Sequence, residues 1–127
     1  ETVKPYPTGQ ELFDYTKNER DEDARPELKD LEVNMDDYDV VFVGYPIWWY
    51  TLPMPIYTFF DKYDFDNKII VPFNTHEGSG DGGTYSTIKN WEKNAKVLDG
   101  LAIRGGDMES DQTTRIRNWL KGLDFNE

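Results

Sequence analysis

The chain alternates short apolar runs with longer segments in which apolar residues recur at helical spacing. Residues 40–43 and 68–73 are nearly continuous apolar runs, and residues 97–103 form a third run that Gly100 interrupts. Continuous rather than alternating apolar runs are typical of parallel strands covered on both faces. We therefore predict three buried strands, the third of them kinked at Gly100.

Four further segments have the apolar spacing of helices that bury one face. They cover residues 10–20, 53–63, 85–96 and 110–121. Thr8 or Gly9 opens the first, a surface helix, and Pro53 and Pro55 favour a helix start at the second. Strands that alternate with helices are joined by right-handed crossovers, which place the strands in parallel and the helices on both faces of the sheet. The predicted fold class is therefore α/β.

Two unusual loops follow the first two predicted strands. Gly44 and Pro46 end the first strand, and residues 45–52 are rich in aromatic side chains. Residues 74–83 follow the second strand directly and are rich in glycine and polar residues. Because neighbouring parallel strands end at one edge of the sheet, where ligands of open α/β folds bind, we expect these loops to lie side by side.

The aromatic loop and the glycine-rich loop offer two complementary kinds of contact. Trp48 and Trp49 could form a stacking platform for a flat aromatic ligand, although ordinary packing over the core is an alternative. The glycines of residues 74–83 would let backbone N–H groups approach the polar edge of a ligand, although this segment could also be a flexible connector. A planar heteroaromatic ligand suits both loops, and flavin is our leading hypothesis.

The glycine-rich loop also contains partial matches to a dinucleotide-binding motif and to a zinc-binding motif. Gly78, Gly80 and Gly83 match the G-x-G-x-x-G pattern of dinucleotide-binding loops, but four residues separate the strand from the first glycine. His76 and Glu77 begin a zinc-binding H-E-x-x-H pattern in which Gly80 replaces the second histidine. We therefore predict neither a dinucleotide fingerprint nor a zinc site.

The remaining candidate residues do not form a catalytic motif either. His76 is the only histidine, and we interpret it as a hydrogen-bonded loop residue rather than a general acid or base, since no nucleophile motif accompanies it. Asp61, Asp64 and Asp66 lack the glycine and the terminal glutamate of a calcium loop, so we interpret them as a turn. The sequence thus predicts no catalytic residue and no metal site.

Charge and composition limit the compartment and the partners. With 25 acidic and 14 basic residues the formal charge is -11, which would repel nucleic acid and anionic membranes and favour partners with a basic face. On charge alone, however, an acidic surplus that merely keeps the protein dispersed is the better interpretation. Cysteine is absent, so disulfides and thiolate sites are excluded. We see neither a secretory leader nor a run of the ~20 apolar residues that a membrane span needs. The prediction is one soluble, cytoplasmic domain over residues 1–127.

The two loops resemble those of the flavodoxins, and more closely those of a small bacterial flavodoxin-like family. The shared motifs are Gly-Tyr-Pro-Ile-Trp-Trp at residues 44–49 and Thr-His-Glu-Gly-Ser-Gly at residues 75–80, and the resemblance extends over residues 3–120. It implies a flavodoxin-like three-layer sandwich that binds FMN, with the first loop against one side of the isoalloxazine ring and the second at its edge. The residues implied at the cofactor are Pro46, Ile47, Trp48, Trp49, Thr75, His76, Glu77, Gly78, Ser79 and Gly80.

The start of the chain departs from the pattern of that family. Flavodoxin-like proteins open with a strand, a phosphate loop rich in serine and threonine, and a helix, and no such segment precedes Glu1. In the strand order 2-1-3-4-5 that strand lies inside the sheet. We therefore expect an N-terminally incomplete flavodoxin-like domain. FMN binding would be weak or nil if the segment is absent from the molecule, and normal if it is present.

These features together predict an FMN-binding electron-transfer protein, in which the flavin does the chemistry and no protein nucleophile is needed. One alternative is an FMN-dependent NAD(P)H or quinone reductase. A second alternative, from another functional class, is a cofactor-free interaction domain. The expected partners of an electron carrier are redox proteins with a basic docking face.

Overall fold

The computed structural model describes residues 1–126 and has helices and strands in the predicted alternating order. The elements are α1 (Gly9–Asp21), β1 (Val40–Pro46), α2 (Met54–Lys62), β2 (Ile69–His76), α3 (Thr84–Trp91), β3 (Lys96–Val97), β4 (Leu101–Arg104) and α4 (Thr113–Gly122). Two short 3₁₀ helices, Met35–Asp37 and Gly105–Glu109, are not predicted from the sequence. No helix within residues 1–126 is long and apolar enough to cross a bilayer.

The four strands form one sheet in which every strand pair is parallel. β2 lies in the centre and pairs with β1 along seven residues, from Val40 opposite Ile69 to Pro46 opposite Thr75. On its other side β2 pairs with β3 near its beginning and with β4 near its end. The structure thus confirms the predicted parallel α/β fold.

The predicted kink at Gly100 is a break that divides the third strand into β3 and β4. The carbonyl of Ile70 accepts a hydrogen bond from the N–H of Leu98, and pairing with β4 resumes at Phe73. Residues of a parallel strand bond alternately to the two neighbouring strands, so Pro72, like Ile70, faces the side of the break. Proline has no N–H to donate, and the break explains how a central strand accommodates it.

Helices cover both faces of the sheet, as predicted. α2 and α3 cover the face that holds the larger apolar cluster. Its buried members are Val43, Tyr45, Leu52, Phe60, Phe65, Ile70 and Ile88. On the opposite face, Trp119 and Leu123 from the α4 region pack against Ile69, Val71 and Leu98. The order of layers is therefore helices, sheet, helix.

Two expectations about β1 need correction. Gly44 does not end the strand, because the backbone continues in register with β2 as far as Pro46, where β1 ends. Within the described residues β1 is also well covered on one face only, since Val43 and Tyr45 are buried whereas Phe42 is 46% exposed. Its continuous apolar run therefore does not correspond to two covered faces.

The bounds of other elements also differ from the prediction. β2 continues to His76, so Asn74, Thr75 and His76 lie at a strand end rather than in the predicted loop. α3 ends at Trp91, five residues earlier than expected. α4 begins at Thr113, whose N–H donates to Asp111 Oδ1 at 2.8 Å, so Asp111 satisfies a backbone donor at the start of the helix as an N-terminal capping residue does.

The apolar stripe that predicted α1 does not describe what the helix buries. Phe13 is 57% exposed, and the buried residues of the helix are Thr16 and Glu19. α1 thus has the predicted position in the chain, but its two buried side chains are polar, and Leu12 and Tyr15 of the apolar stripe are only half-buried.

We expect Gly100→Ala to lower the free energy of unfolding by about 1–3 kcal/mol. A Cβ at this position would lie 2.8 Å from the carbonyl oxygen of Pro72 and would overlap the ring of Tyr85, so the backbone at the break would have to shift. Gly122→Ala is the matched control, because a Cβ there meets nothing within 4 Å at the end of a helix. Urea denaturation measures both variants, and equal losses of stability would contradict the prediction.

Candidate functional site

A cavity of about 580 Å³ opens at the carboxyl ends of β1 and β2. Its lining residues are Leu12, Phe13, Thr16, Ile47, Trp48, Trp49, Tyr50, Glu77, Gly78 and Ser79. The two loops meet here because Ile47, directly after β1, donates its N–H to the carbonyl of Thr75 in β2 at 3.1 Å. The predicted arrangement of the loops side by side is confirmed.

The aromatic loop contains a tight two-residue turn. Trp48 and Thr51 exchange backbone hydrogen bonds of 3.0 and 3.2 Å, and the residues between them, Trp49 and Tyr50, have φ values of 53° and 67°. This is the geometry of a type I′ turn, which normally uses Asn-Gly because both central residues are left-handed. A bulky side chain there costs about 1–2 kcal/mol per residue. The turn therefore stores strain in the wall of the cavity, where such strain is often functional.

Helix α1 provides the contacts that hold Trp49. The indole Nε1 donates to Thr16 Oγ1 at 2.9 Å, and Thr16 in turn donates its hydroxyl proton to the carbonyl of Leu12 at 2.7 Å. The guanidinium of Arg20 lies 5.7 Å from the centre of an indole ring of Trp49 and donates to the carbonyl oxygen of the same residue at 3.4 Å. Trp49 is thus fixed through both its side chain and its backbone.

Trp48 has a separate support from the N-terminal segment. The ring of Tyr6 packs edge-on against Trp48, with 5.9 Å between ring centres. The hydroxyl of Tyr6 donates to Glu19 Oε1 at 2.7 Å, and burial raises the pKa of the Glu19 carboxyl against the opposing effect of that bond. The two indoles therefore line the same cavity but are held by different partners.

Asn74 anchors the glycine-rich loop to the sheet. Its side chain is buried, and the amide nitrogen donates to the carbonyls of Gly80 at 3.0 Å and of Thr75 at 3.2 Å. Its amide oxygen accepts the hydroxyl proton of Tyr85, from the first turn of α3. One buried amide thus joins the end of β2, the loop and the next helix.

Two phenols, buried Tyr45 and half-buried Tyr85, lie beneath the loop and remain protonated at neutral pH. Burial raises the pKa of Tyr45 to about 12, and its hydroxyl lies 2.8 Å from the hydroxyl of Thr84. Burial also raises the pKa of Tyr85 above its usual value. Because both phenols keep their protons, they can act as hydrogen-bonding supports for the loop.

His76 and Gly78 form a small turn at the start of the loop. His76 Nδ1 accepts the N–H of Gly78 at 2.9 Å, which agrees with the interpretation of His76 as a hydrogen-bonded residue. Gly78 has a φ of 123°, a conformation that only glycine adopts readily. The N–H of Gly78 is therefore engaged within the protein.

Glu77 supplies the only charge among the residues that line the cavity. Its carboxylate lies next to the backbone of Gly105, at the end of β4, where an added Cβ would meet it. Across the part of the chain that the structure describes, no group of three or more histidine, cysteine, aspartate or glutamate side chains is placed to hold a metal ion. The site therefore combines aromatic and aliphatic walls with hydroxyl groups and one carboxylate.

The structure brings together six of the ten residues that the resemblance implies at a cofactor. Ile47, Trp48, Trp49, Glu77, Gly78 and Ser79 line the cavity, whereas Pro46, Thr75, His76 and Gly80 do not. Pro46 lies at the end of β1, and Thr75 and His76 lie at the end of β2. The carbonyl of Gly80 accepts a hydrogen bond from the side chain of Asn74. The cofactor-binding role of all ten residues stays a prediction.

Sequence reasoning missed the contribution of α1 and the tip of the turn. The missed lining residues are Leu12, Phe13, Thr16 and Tyr50. The apolar stripe of α1 was the available signal, but such a stripe normally indicates packing against a core. Nothing in the local sequence indicates that the helix lies beside a loop about 30 residues further along the chain.

Comparison with known proteins identifies the family. Residues 15–123 match the family described as Flavodoxin. The match covers most of the chain, so the chain belongs to this flavodoxin family, and the predicted resemblance is confirmed. No curated protein matches the chain.

Solved structures agree with this assignment. A candidate flavoprotein from Bacteroides eggerthii is 28% identical, with a TM-score of 0.71 over 94% of this chain and 76% of that protein. Another from Bacteroides uniformis is 23% identical, with a TM-score of 0.79 over 95% and 78%. A flavoprotein from Lactobacillus acidophilus, solved in complex with FMN, is 18% identical, with a TM-score of 0.64 over 85% and 73%. The latter two support the fold alone.

We expect Asn74→Leu to lower the free energy of unfolding by about 2–4 kcal/mol. The substitution preserves the approximate volume but leaves the carbonyl of Gly80 and the hydroxyl of Tyr85 without their partner, and each partly buried group that loses its partner costs up to about 1–3 kcal/mol. Tyr85→Phe is the comparison, because it removes only one of these bonds; it leaves the amide oxygen of Asn74 unpaired, and we expect it to cost about 1–2 kcal/mol. Thermal and urea denaturation measure both. If Asn74→Leu is no worse than Tyr85→Phe, Asn74 does not anchor the loop.

Proposed function

We propose that this chain binds the isoalloxazine ring of FMN in the cavity and serves as an electron carrier. The observation that supports this most directly is the lining of the cavity, which combines apolar and aromatic walls with a few hydroxyl groups and one carboxylate. Ligand pockets for planar heteroaromatic rings have this composition. Membership of the flavodoxin family supports the same cofactor class.

The residues present suit the ring portion of FMN. Ile47, Trp48 and Trp49 offer the apolar contacts. Ser79 is the best candidate for a polar contact at the ring edge, because its N–H and its hydroxyl donate no hydrogen bond within residues 1–126. The engaged N–H of Gly78 would instead keep the loop in shape.

The same lining does not suit a phosphate group. None of the ten lining residues is basic, and the carboxylate of Glu77 would repel a phosphate placed beside it. The phosphate of FMN would therefore lie away from Glu77, and the ring would supply most of the affinity that this cavity provides.

A carrier role follows from what the residues offer for chemistry. A bound flavin ring supplies the electron transfer itself, so the protein needs to bind, orient and tune it. The negative charge of Glu77 disfavours further negative charge on the ligand and so opposes its reduction. Tyr50 lines the cavity and is 79% exposed, so this side of the site faces solvent and is accessible to a partner.

The charge of the chain supports redox partners with a basic docking face. The net charge of -11 would attract such a partner over a distance of about one Debye length, and salt would weaken the attraction. Electrostatic attraction of this kind mainly raises the association rate.

We expect FMN to lose fluorescence when it binds to the purified chain, and Trp48→Ala to weaken binding about tenfold. Loss of one stacking aromatic residue costs roughly 1–3 kcal/mol with nucleobases, which are similar planar rings. Trp48→Phe should retain most of the affinity, and lumiflavin, which has no phosphate, should bind with an affinity close to that of FMN. Fluorescence titration measures all four cases.

The outcomes of the titration separate the functional alternatives. Absence of FMN binding by the wild-type chain would exclude the carrier and favour a cofactor-free interaction domain. Binding together with steady-state oxidation of NADH or NADPH would favour the reductase. Binding without turnover supports the carrier.

We expect the FMN-loaded, chemically reduced protein to reduce a small basic haem protein at a rate that falls steeply as salt rises. Screening weakens the attraction between opposite net charges and slows association. Stopped-flow absorbance at several ionic strengths measures the rate, and an acidic haem protein serves as the control. A rate with the basic protein that does not change with salt would contradict a basic docking partner.

A further inference from the structure

Helix α1 forms one wall of the cavity without joining the apolar core. Leu12, Phe13 and Thr16 line the cavity, yet none of the residues of α1 belongs to either core cluster. The residues that the helix buries, Thr16 and Glu19, are polar. Directional polar contacts, together with the edge-on packing of Tyr15 against Tyr6, therefore position this wall.

These polar contacts concentrate on Trp49. Thr16 accepts the indole N–H, and Arg20 contacts both the ring and the carbonyl oxygen of the same residue. That carbonyl belongs to the peptide group between Trp49 and Tyr50, the two left-handed residues of the turn. Arg20 thus contacts the peptide group whose orientation defines the strained conformation.

A Trp-Tyr pair has no intrinsic preference for this conformation. Type I′ turns favour glycine, asparagine and aspartate at their central positions, so a turn of this sequence needs support from outside. Strained backbone persists only where surrounding contacts fix it. Within the described residues, α1 supplies such contacts directly to Trp49.

We propose that Thr16 and Arg20 are positioning residues of the ring site, which we call the α1 latch: they join α1 to Trp49 and hold the Trp49–Tyr50 turn in its left-handed conformation. For flavin binding this inference rests on the proposed function. Because the latch and the ligand both stabilise the same wall, docking of α1 and binding of the ring favour each other. Breaking the latch lowers the affinity for the ring, and binding of the ring protects α1 from opening.

The first test removes the acceptor of the indole N–H. Thr16→Val is nearly isosteric, and we expect it to raise the Kd for FMN about fivefold, the value of one hydrogen bond of about 1 kcal/mol. Thr16→Ser restores the hydroxyl and should restore affinity to within about twofold. The matched control is Thr58→Val in α2, because Thr58 also donates to the carbonyl four residues earlier but lies outside the cavity.

The second test asks whether Thr16 acts through Trp49. Trp49→Phe keeps an aromatic ring but has no N–H to donate. In that background Thr16→Val should have no further effect on the Kd, so the double-mutant cycle should show coupling. The same loss of affinity in both backgrounds would overturn the proposed role of Thr16.

The third test does not depend on flavin. Hydrogen exchange of the ligand-free protein should show faster exchange of α1 and of residues 48–51 in Thr16→Val and in Arg20→Gln, but not in Thr58→Val. Arg20→Gln changes a partly exposed side chain and so serves as the second variant if Thr16→Val does not fold. Unchanged exchange in these segments for the folded latch variants would overturn the latch.

These experiments can therefore reject the proposed function and the α1 latch independently of each other. If the wild-type chain binds no flavin, the carrier fails, and hydrogen exchange still decides the latch. If flavin binds and the latch variants alter neither affinity nor exchange, the latch is wrong and flavin binding stands. Slower exchange of α1 upon addition of FMN to the wild-type chain would support the predicted linkage.

Discussion

The parallel pairing of β1 with β2 is the constraint on which the candidate site depends. Seven residue pairs bring Pro46 opposite Thr75, so both strands end at the same level and their loops meet. A register shift of one residue would exchange the two faces of β1 and expose Val43 and Tyr45. Tyr45 contacts Thr84 beneath the glycine-rich loop, and the same register therefore fixes both the core and the support of this loop.

The core and the site are stabilised by different interactions. Apolar side chains beneath α2 and α3 bury the centre of the sheet. The stabilisation they provide is roughly proportional to the apolar area buried and does not depend on the direction of the contacts. The cavity is shaped by directional contacts instead: Asn74 to the loop, Thr16 and Arg20 to Trp49, and Tyr6 to Glu19. Directional bonds hold the walls in place and leave between them a space that an apolar ligand can enter. Apolar packing would fill that space.

The sequence predicted those features that depend on local patterns. Apolar runs revealed the strands, and Gly100 revealed the interruption of the third one, because a glycine inside a strand often marks a bend or a close approach of backbone. Two loops at neighbouring strand ends followed from the topology of parallel sheets. These arguments need no knowledge of distant contacts, and this is why they succeeded.

Features that depend on distant contacts were not predicted. The turn at Trp49 and Tyr50 contradicts the local preference for Asn-Gly, and its support comes from Thr16, 33 positions earlier in the chain. The extension of β2 to His76 likewise depends on pairing with β1 and β4 rather than on the polar residues themselves. Phe42 is the opposite case. Its apolar run predicted that both faces of β1 are covered, but the face that carries Phe42 is partly exposed within residues 1–126.

The break opposite Pro72 divides the sheet into two parts along the strand direction. In the lower part β2 is bonded to β1 and β3, and in the upper part, which carries the cavity, it is bonded to β1 and β4. β1 and β2 continue through both parts, so only the third strand can change its twist at the break. The break thereby lets β4 follow a different direction beside the cavity from that of β3 at the base, while the β1–β2 ladder holds the two parts together.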